Sequence, residues 1–293
     1  MNRLFLLLII CLAFPSFGHA QRKRALMIGI SNYHAYGYMV WNDIHGAEDV
    51  ALLTPELEKK GFNTYTLLNE QATYHGILNA LNRFIANTKK GDIVYIHFSC
   101  HGQPVEDGLL GDEKDEKDGW DEALIPIDAG KEYDAQGYKG ERHVTDDMLN
   151  VYFSRLRKKI GATGMLYVAM DACHAGTVSR KGLETVRGTN EGLTEKGMKY
   201  NPPKDNVRHY HLKNMKGVSP VLFLEACKSN ERNTEIRIRG KEWGALSYNI
   251  CDALHDMSHL EKNVSEFIDS VEASTNKKKQ WPRTQSLVFE SSF

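Results

Sequence analysis

Two apolar stretches decide the fold of this chain: Ile-Val-Tyr-Ile-His-Phe-Ser-Cys-His-Gly at residues 93–102 and Met-Leu-Tyr-Val-Ala-Met-Asp-Ala-Cys-His-Ala-Gly at residues 165–176. Each predicts a buried β-strand, because short apolar runs without strict alternation are typical of strands covered on both faces. His101 stands at the end of the first stretch and Cys173 at the end of the second. Neighbouring parallel strands would bring the two side chains to one sheet edge, as a cysteine nucleophile and its base require.

Strand and helix patterns alternate through the rest of the chain. Three more apolar runs predict strands, at residues 25–30, 64–68 and 221–226, and three helical patterns lie at 47–57, 73–85 and 149–160. This alternation predicts an α/β domain with a central, mostly parallel β-sheet flanked by helices, and with functional residues at the carboxyl ends of the strands. Pro55 lies inside the first helical pattern and predicts a kink or an early end there, because an interior proline disrupts a helix.

The amino terminus follows the pattern of a secretory signal peptide. Arg3 precedes an apolar run, and small residues lead up to Gln21. We therefore expect export, to a periplasm or to the outside, and a single domain at residues 21–293. The run is shorter than the roughly 20 residues of a spanning helix, so no membrane span is expected after processing. A formal net charge of −1 gives no reason to expect nucleic acid as a partner.

A structural zinc site is an alternative use for the histidines and cysteines near these strand ends. Its candidate ligands would be His97, Cys100, His101, Cys173 and His174. Adjacent residues on a strand point to opposite faces, so neighbouring ligands could not easily share one ion. This argument disfavours the zinc site.

The motifs around the two strands resemble those of the caspase-like cysteine peptidases, and among these the metacaspases. Ser-Cys-His-Gly at 99–102 is similar to the family's Ser-Gly-His-Gly, with cysteine in place of the first glycine. Asp-Ala-Cys-His-Ala-Gly at 171–176 is similar to its Asp-x-Cys-His-Ser-Gly, and Gly-Ala-Glu-Asp-Val at 46–50 resembles its Gly-x-Asn-Asp-Ala. The resemblance extends from about residue 24 to residue 176 and implies the caspase/hemoglobinase fold.

The resemblance also implies a cysteine endopeptidase. In that chemistry the Cys173 thiolate attacks the peptide carbonyl, and His101 protonates the leaving amine. The backbone N–H groups of Gly102 and Cys173 would stabilise the oxyanion. No cofactor is required for these steps, and the sequence identifies no third residue that orients the histidine.

The expected substrates follow from three positions that match the metacaspase specificity pocket. These are Asp49, Ser99 and Asp171. Two carboxylates in a confined pocket favour arginine or lysine before the scissile bond. We therefore expect protein or peptide substrates that are cut after basic residues. Metacaspases are commonly monomeric, and the resemblance implies a monomer here.

Calcium is a further implication of the resemblance. Asp121, Asp146 and Asp147 lie in segments that look like those contributing calcium-binding aspartates in the family, and carboxylate oxygens suit a hard cation. Arg180 stands where a further acidic ligand would be expected. The alternative role for Asp146 and Asp147 is capping of the helix that follows them.

A long polar segment at about 177–219 follows the cysteine motif. Among its basic residues, the candidate cut sites for an enzyme of this specificity are Arg180, Lys181, Arg187, Lys196, Lys199 and Arg208. Self-processing in this segment is one hypothesis, and a solvated basic surface loop is the other. The alternative function is that of a caspase-like binding or scaffold protein, which has the same fold but no catalytic activity. The presence of both His101 and Cys173 favours the enzyme.

Overall fold

The structure is a computed structural model. It describes residues 21–33, 41–111, 114, 116–173, 185–202, 204, 206–260, 264–277, 281–283 and 285–293. The predicted signal peptide therefore lies outside the described residues, as do the end of the cysteine motif after Cys173 and two of the candidate cut sites, Arg180 and Lys181.

Strands and helices alternate through the first two thirds of the described chain. In chain order the elements are β1 (Lys23–Gly29), α1 (Gly46–Lys59), β2 (Phe62–Leu68), α2 (Tyr74–Asn87), β3 (Ile93–Ser99), β4 (His101–Glu106), β5 (Trp120–Ile125), β6 (Val144–Thr145), α3 (Asp146–Ile160), β7 (Met165–Asp171), β8 (His209–His211), β9 (Val221–Glu225), β10 (Ile236–Ile238), β11 (Lys241–Trp243), α4 (Ala245–Asp256), α5 (Val264–Lys277) and β12 (Val288–Ser291). A 3-10 turn, Asn69–Gln71, follows β2.

Seven strands form the central sheet, in the order β2-β1-β3-β7-β9-β12-β8. Every neighbouring pair is parallel except β9 and β12. The five apolar runs that predicted strands correspond to β1, β2, β3, β7 and β9, so the prediction of a mostly parallel α/β sheet is confirmed. A small antiparallel sheet of β4, β5 and β6 continues from the end of β3, and β10 pairs with β11.

Helices cover both faces of the central sheet. Successive residues of a strand point to opposite faces, so each central strand contributes to two hydrophobic layers. One layer contains Leu26, Ile28, Ile96, Phe98 and Val168, and packs against α2 and α3. The other contains Ala25, Met27, Tyr95 and Tyr167, and packs against α1, α4 and α5. Burial on both faces explains why these strands read as continuous apolar runs.

Threonine side chains cap the amino-terminal ends of α2 and α3. Thr73 caps α2, since its side chain accepts a hydrogen bond from the Gly76 backbone N–H. The cap of α3 is Thr145, which accepts from Met148 N. The alternative in which Asp146 and Asp147 cap this helix is therefore wrong. They lie in its first turn, where carboxylates interact favourably with the helix dipole.

Of the two outcomes expected at Pro55, a kink or an early end of α1, the early end is wrong, because the helix continues to Lys59. Leu53 and Leu57 are fully buried on either side of the proline, so packing of this face offsets the lost backbone hydrogen bond. No helix within the described part of the chain combines the length and the apolar character that spanning a membrane requires.

The polar segment at 177–219 is not simply a solvated loop. Arg187 and Leu193 are both 0% exposed, and Thr189 is 2% exposed. The segment also contributes β8 to the sheet edge, and Leu193 pairs with Val105 beside β4. Composition predicted exposure here, whereas burial of these residues depends on contacts with strands that are distant in sequence.

Candidate active site

The two candidate catalytic residues lie at the same edge of the sheet. Ser99 and Asp171 are the last residues of β3 and β7 and lie opposite each other in the parallel register. His101 and Cys173 each follow two residues later, and both are buried, at 2% and 1% exposed. The adjacent parallel strands thus place a histidine and a thiol that are far apart in sequence at one edge of the sheet. Among the described residues no hydrogen bond joins His101 Nδ1 to the Cys173 thiol.

The His101 ring is fixed by one hydrogen bond and two aromatic neighbours. Its Nε2 lies 2.8 Å from the Asn42 backbone carbonyl, which can only accept, so Nε2 carries the proton of the neutral ring. Trp41 stacks on the ring at 4.9 Å between centroids, and Tyr33 contacts it at 4.8 Å. The buried Nδ1 has no hydrogen-bond partner among the described residues and is free to accept a proton.

The Cys173 thiol lies in a small apolar cluster with Trp120, Tyr200 and Cys227. Its Sγ donates to the Glu231 backbone carbonyl at 3.0 Å, and the Cys227 thiol lies 3.0 Å away. Burial and the neighbouring thiol raise the pKa of Cys227, so Cys227 remains a neutral thiol. Cys227 therefore contacts the candidate nucleophile directly.

The three predicted pocket residues form one buried, hydrogen-bonded group. Ser99 Oγ donates to Asp49 Oδ2 at 2.8 Å. Asp171 accepts from Ser247 Oγ at 2.7 Å and from Asn233 Nδ2 at 2.7 Å. Both carboxylates are 0% exposed. The group therefore forms a fixed acidic pocket beside the residues that follow β3 and β7.

An arginine of the chain itself occupies this pocket. Arg187 Nη1 lies 2.8 Å from Asp49 Oδ2, 3.6 Å from Asp171 Oδ1 and 2.5 Å from Ser99 Oγ. Its Nε and Nη2 donate to Glu235 Oε1 at 3.0 and 2.7 Å. The guanidinium thus contacts three carboxylates, of which sequence reasoning had found two.

Electrostatics hold this group together. Burial lowers the pKa of Arg187, but the surrounding carboxylates outweigh burial and raise it, so the guanidinium stays charged. Burial raises the pKa of Asp49, and Arg187 opposes that rise. Burial would also raise the pKa of Glu235, yet Arg187 and His45 bring it down to about 2. His45 Nδ1 lies 2.6 Å from Glu235 Oε2, and this hydrogen bond raises the pKa of His45.

Gly244 packs directly against the acidic pocket. Its backbone N–H donates to Asp49 at 3.0 Å. A Cβ atom at this position would lie 2.1 Å from Asp171 Oδ2 and 2.6 Å from Arg187 Nη1. Only glycine leaves room for the carboxylate and the guanidinium.

A second acidic region lines a cavity of about 620 Å³ on the α3 side of the sheet. Its walls include Glu122, Asp146, Asp147 and Glu225, whereas Asp121 is not among the lining residues. Burial raises the pKa of Asp146 to about 6 and that of Glu225 to about 8, because the charged forms are poorly solvated. The Asp146 Oδ1 atom is buried and has no hydrogen-bond partner among the described residues. Carboxylate oxygens are the donors that a hard divalent cation prefers, but among the described residues no three of these four carboxylates offer oxygens within 4.8 Å of one another. The predicted ligands Asp146 and Asp147 line the cavity, and Asp121 does not.

One other set of side chains has the composition of a metal site. In the described part of the chain, potential ligand atoms of His45, Glu235 and Glu242 all lie within 4.8 Å of one another. Glu235 is already bound to Arg187, and His45 is hydrogen-bonded to Glu235. The arrangement is accounted for by these ion pairs.

Comparison with known proteins agrees with this geometry. The family described as the Caspase domain matches residues 22–292. The chain belongs to the caspase-domain family. Metacaspase-1 of Lodderomyces elongisporus is 23% identical over 78% of this chain and 56% of its own length. Metacaspase III c of Phaeodactylum tricornutum is 31% identical over 53% of this chain and 43% of its own length. The chain thus spans about half the length of the curated relatives it matches.

A solved structure supports the same fold. The crystal structure of a protein from Geobacter sulfurreducens aligns with a TM-score of 0.60 and 19% identity, covering 92% of this chain and 93% of that one. At this identity the likeness concerns the fold alone. Together with the metacaspase relatives, the family assignment makes this caspase-domain protein a member of a cysteine peptidase family.

The structure identifies two contributors to the site that sequence reasoning missed. Asn42 acts through its backbone carbonyl, which no side-chain pattern can reveal. Glu235 lies 190 residues from its partner His45, in a segment without a recognisable motif. Arg187 was predicted only as a cut site, because an arginine in a polar segment is usually exposed and nothing in the sequence indicates that this one is buried.

His101 should remain neutral well below pH 6. Burial lowers its pKa to about 4, partly opposed by the hydrogen bond to Asn42. The unfolded chain has a histidine pKa of about 6.5, so the stability linked to this ring is complete above pH 6.5 and is lost as the pH falls toward 4. NMR of histidine-labelled protein, with the signal assigned by its loss in His101→Gln, measures the titration. A midpoint near 6.5 would contradict the buried, neutral ring.

Proposed function

We propose that this protein is a cysteine endopeptidase that hydrolyses peptide bonds after arginine or lysine. The observation that carries the proposal is the buried acidic pocket beside Cys173, which accommodates the side chain of an arginine. A guanidinium fits between Asp49 and Ser99 on one side and Glu235 on the other. An acidic residue before the scissile bond would instead place a fourth carboxylate among three and be rejected.

In the proposed reaction Cys173 is the nucleophile, and His101 acts first as the base and then as the acid. Cys173 transfers its proton to Nδ1 of His101, the ring atom that Asn42 leaves free, and the thiolate attacks the substrate carbonyl carbon. His101 then gives the proton to the leaving amine, and a thioester remains. Water hydrolyses the thioester and restores the thiol. The backbone N–H groups of Gly102 and Cys173 are the proposed donors to the oxyanion.

The shape of the pocket favours arginine over lysine. Arg187 uses Nε and Nη2 toward Glu235 while Nη1 faces Asp49, so one planar group spans both sides of the pocket. A lysine ammonium is a single point of charge and cannot reach both sides at once. Charge-assisted hydrogen bonds contribute roughly 1.5 to 3 kcal/mol each, enough for a measurable preference.

Cleavage of short fluorogenic peptides is the direct test. Wild-type protein should cleave after Arg and, more slowly, after Lys, and should leave an Asp peptide intact. Cys173→Ala should lose all turnover, because no other group supplies the nucleophile. Cys251→Ala serves as the matched control and should keep full activity, since the Cys251 thiol faces the Leu52 backbone carbonyl of α1. Turnover that persists in Cys173→Ala, or its absence from folded wild type, would contradict the proposal and favour a scaffold role.

Glu235→Gln should reduce the preference for arginine while cleavage continues. Loss of one charge-assisted contact lowers the ratio of kcat/KM for Arg over Lys peptides by roughly tenfold, since about 1.4 kcal/mol corresponds to that factor. The ratio should fall mainly through the arginine substrate, because lysine does not use this contact. Glu242→Gln, which changes a neighbouring carboxylate that does not contact Arg187 directly, is the control. An unchanged ratio in Glu235→Gln would rule out this role.

We further propose that the acidic cavity binds calcium. Glu122, Asp146, Asp147 and Glu225 are the side chains that would hold the ion. A bound divalent cation would supply positive charge to carboxylates whose pKa values are raised by burial, and would keep them ionised. The cavity is also lined by Ala172 and Cys227, so its occupancy bears on the segments that carry and contact the nucleophile.

Calcium should raise the melting temperature of the protein, and a chelator should reverse the rise, because a ligand that binds only the folded state stabilises it. Asp146→Asn should abolish most of the shift. Asp134→Asn, at an exposed position away from the cavity, should leave the shift unchanged. Equal melting temperatures in calcium and in chelator for the wild type would refute the site.

A further inference from the structure

The segment around Arg187 is joined to residues 233–235 by main-chain hydrogen bonds. Arg187 N–H donates to the Asn233 carbonyl at 2.9 Å, and the Glu235 N–H donates to the Thr185 carbonyl at 2.9 Å. Between them, Val186 and Thr234 form an antiparallel bridge. Residues 185–187 are therefore joined to residues 233–235 by main-chain hydrogen bonds around one isolated antiparallel bridge. Main-chain hydrogen bonds of this kind also hold a peptide that adds to an exposed strand.

The next residue, Gly188, lies against the backbone of Cys173. Gly188 has a φ of 143°, a backbone conformation that favours glycine. A Cβ at this position would lie 1.9 Å from the Cys173 carbonyl oxygen and 2.9 Å from that of Gly102. Thr189 N–H then donates to the Gly102 carbonyl at 3.3 Å. The chain thus passes directly between the two residues whose N–H groups are the proposed oxyanion donors.

Arg187 differs in this respect from the other basic residues of the segment that the structure describes. The Lys196 ammonium is bound to Glu106 and is 61% exposed, and Lys199 and Arg208 are exposed as well. Arg187 alone among these combines a side chain in the acidic pocket with a main chain that runs past Cys173. A purely structural ion pair would account for the side chain, but not for a glycine held against the backbone carbonyls of Cys173 and Gly102.

We infer that residues 185–187 occupy the substrate cleft as an internal substrate and that the bond between Arg187 and Gly188 is the one this protein cuts in itself. The inference rests on the proposed peptidase function and deepens it. It selects one bond in the segment for which self-processing was predicted. It also implies that the pocket is filled until this segment leaves.

The step balances without any further reactant than water. The Cys173 sulfur bonds to the carbonyl carbon of Arg187, and the bond from that carbon to the Gly188 nitrogen breaks. The proton that His101 took from the thiol goes to the Gly188 amine. Water then cleaves the thioester, leaving a carboxylate on Arg187 and a free thiol on Cys173. The products are one chain that ends at Arg187 and one that begins with Gly-Thr-Asn.

Intact-mass spectrometry and amino-terminal sequencing of purified full-length protein test the inference. We expect a new terminus at Gly188 in the wild type and none in Cys173→Ala. Arg187→Gln should lose this cut. Because a missing guanidinium would leave buried carboxylates unpaired and could prevent folding, Arg187→Lys is the second variant. It should fold and be cut at the same bond at a rate reduced by roughly tenfold.

Arg208→Gln is the matched control, since it removes an exposed basic residue of the same segment, and it should be cut at Gly188 as fast as the wild type. Each variant is also assayed on an arginyl peptide, which reports the proposed function separately. Peptide turnover without a Gly188 terminus, or with termini only after Lys196, Lys199 or Arg208, would overturn the inference and leave the peptidase function intact. A Gly188 terminus that forms equally in Cys173→Ala would also overturn it. Loss of both peptide turnover and the cut in folded wild type would contradict the proposed function itself.

Discussion

A single buried ion cluster organises the functional edge of this protein. One guanidinium, that of Arg187, is shared by the carboxylates of Asp49, Asp171 and Glu235, all of them buried. Removing charges from water costs several kcal/mol per ion, and the cost is offset only when partners are close and further hydrogen bonds complete the group. Hydroxyl, amide and backbone donors provide those bonds here. The cluster therefore fixes one arrangement of the segments that contribute to it.

Those segments come from four distant parts of the chain. Asp49 lies on α1, Asp171 ends β7, Glu235 precedes β10 and Arg187 belongs to the long polar segment. The parallel sheet makes their meeting feasible, because the carboxyl ends of β3 and β7 lie side by side in register. Its two hydrophobic layers keep both strands rigid, so the polar residues that follow them start from fixed positions. Core packing thus determines where the chemistry is placed.

The sequence was most informative where local pattern and burial agree. Continuous apolar runs marked five strands of the sheet, and the helical pattern at 73–85 corresponds to α2. It was misleading where tertiary contacts outweigh local preference. Packing on both sides of Pro55 keeps α1 intact, and Thr145 takes the capping role that two aspartates could have filled. Tertiary contacts also outweigh composition in the basic segment at 177–219. Its composition indicates exposure, but a charged side chain can be buried when it is paired with opposite charges.

By itself the sequence determined the α/β fold and the strand ends that carry His101 and Cys173, and its resemblance to the metacaspases implied the three residues Asp49, Ser99 and Asp171 that the structure brings together. Each of these residues belongs to a short motif that lies next to a strand or on a helix. The tertiary structure alone decided that the Asn42 carbonyl orients the histidine, that Glu235 completes the acidic group and that Arg187 fills it. Apart from Arg187 and Asp171, which are 16 positions apart, these contacts join residues at least 48 positions apart, through backbone atoms or through side chains that belong to no motif. Their energy depends on burial and distance, which only the folded chain defines.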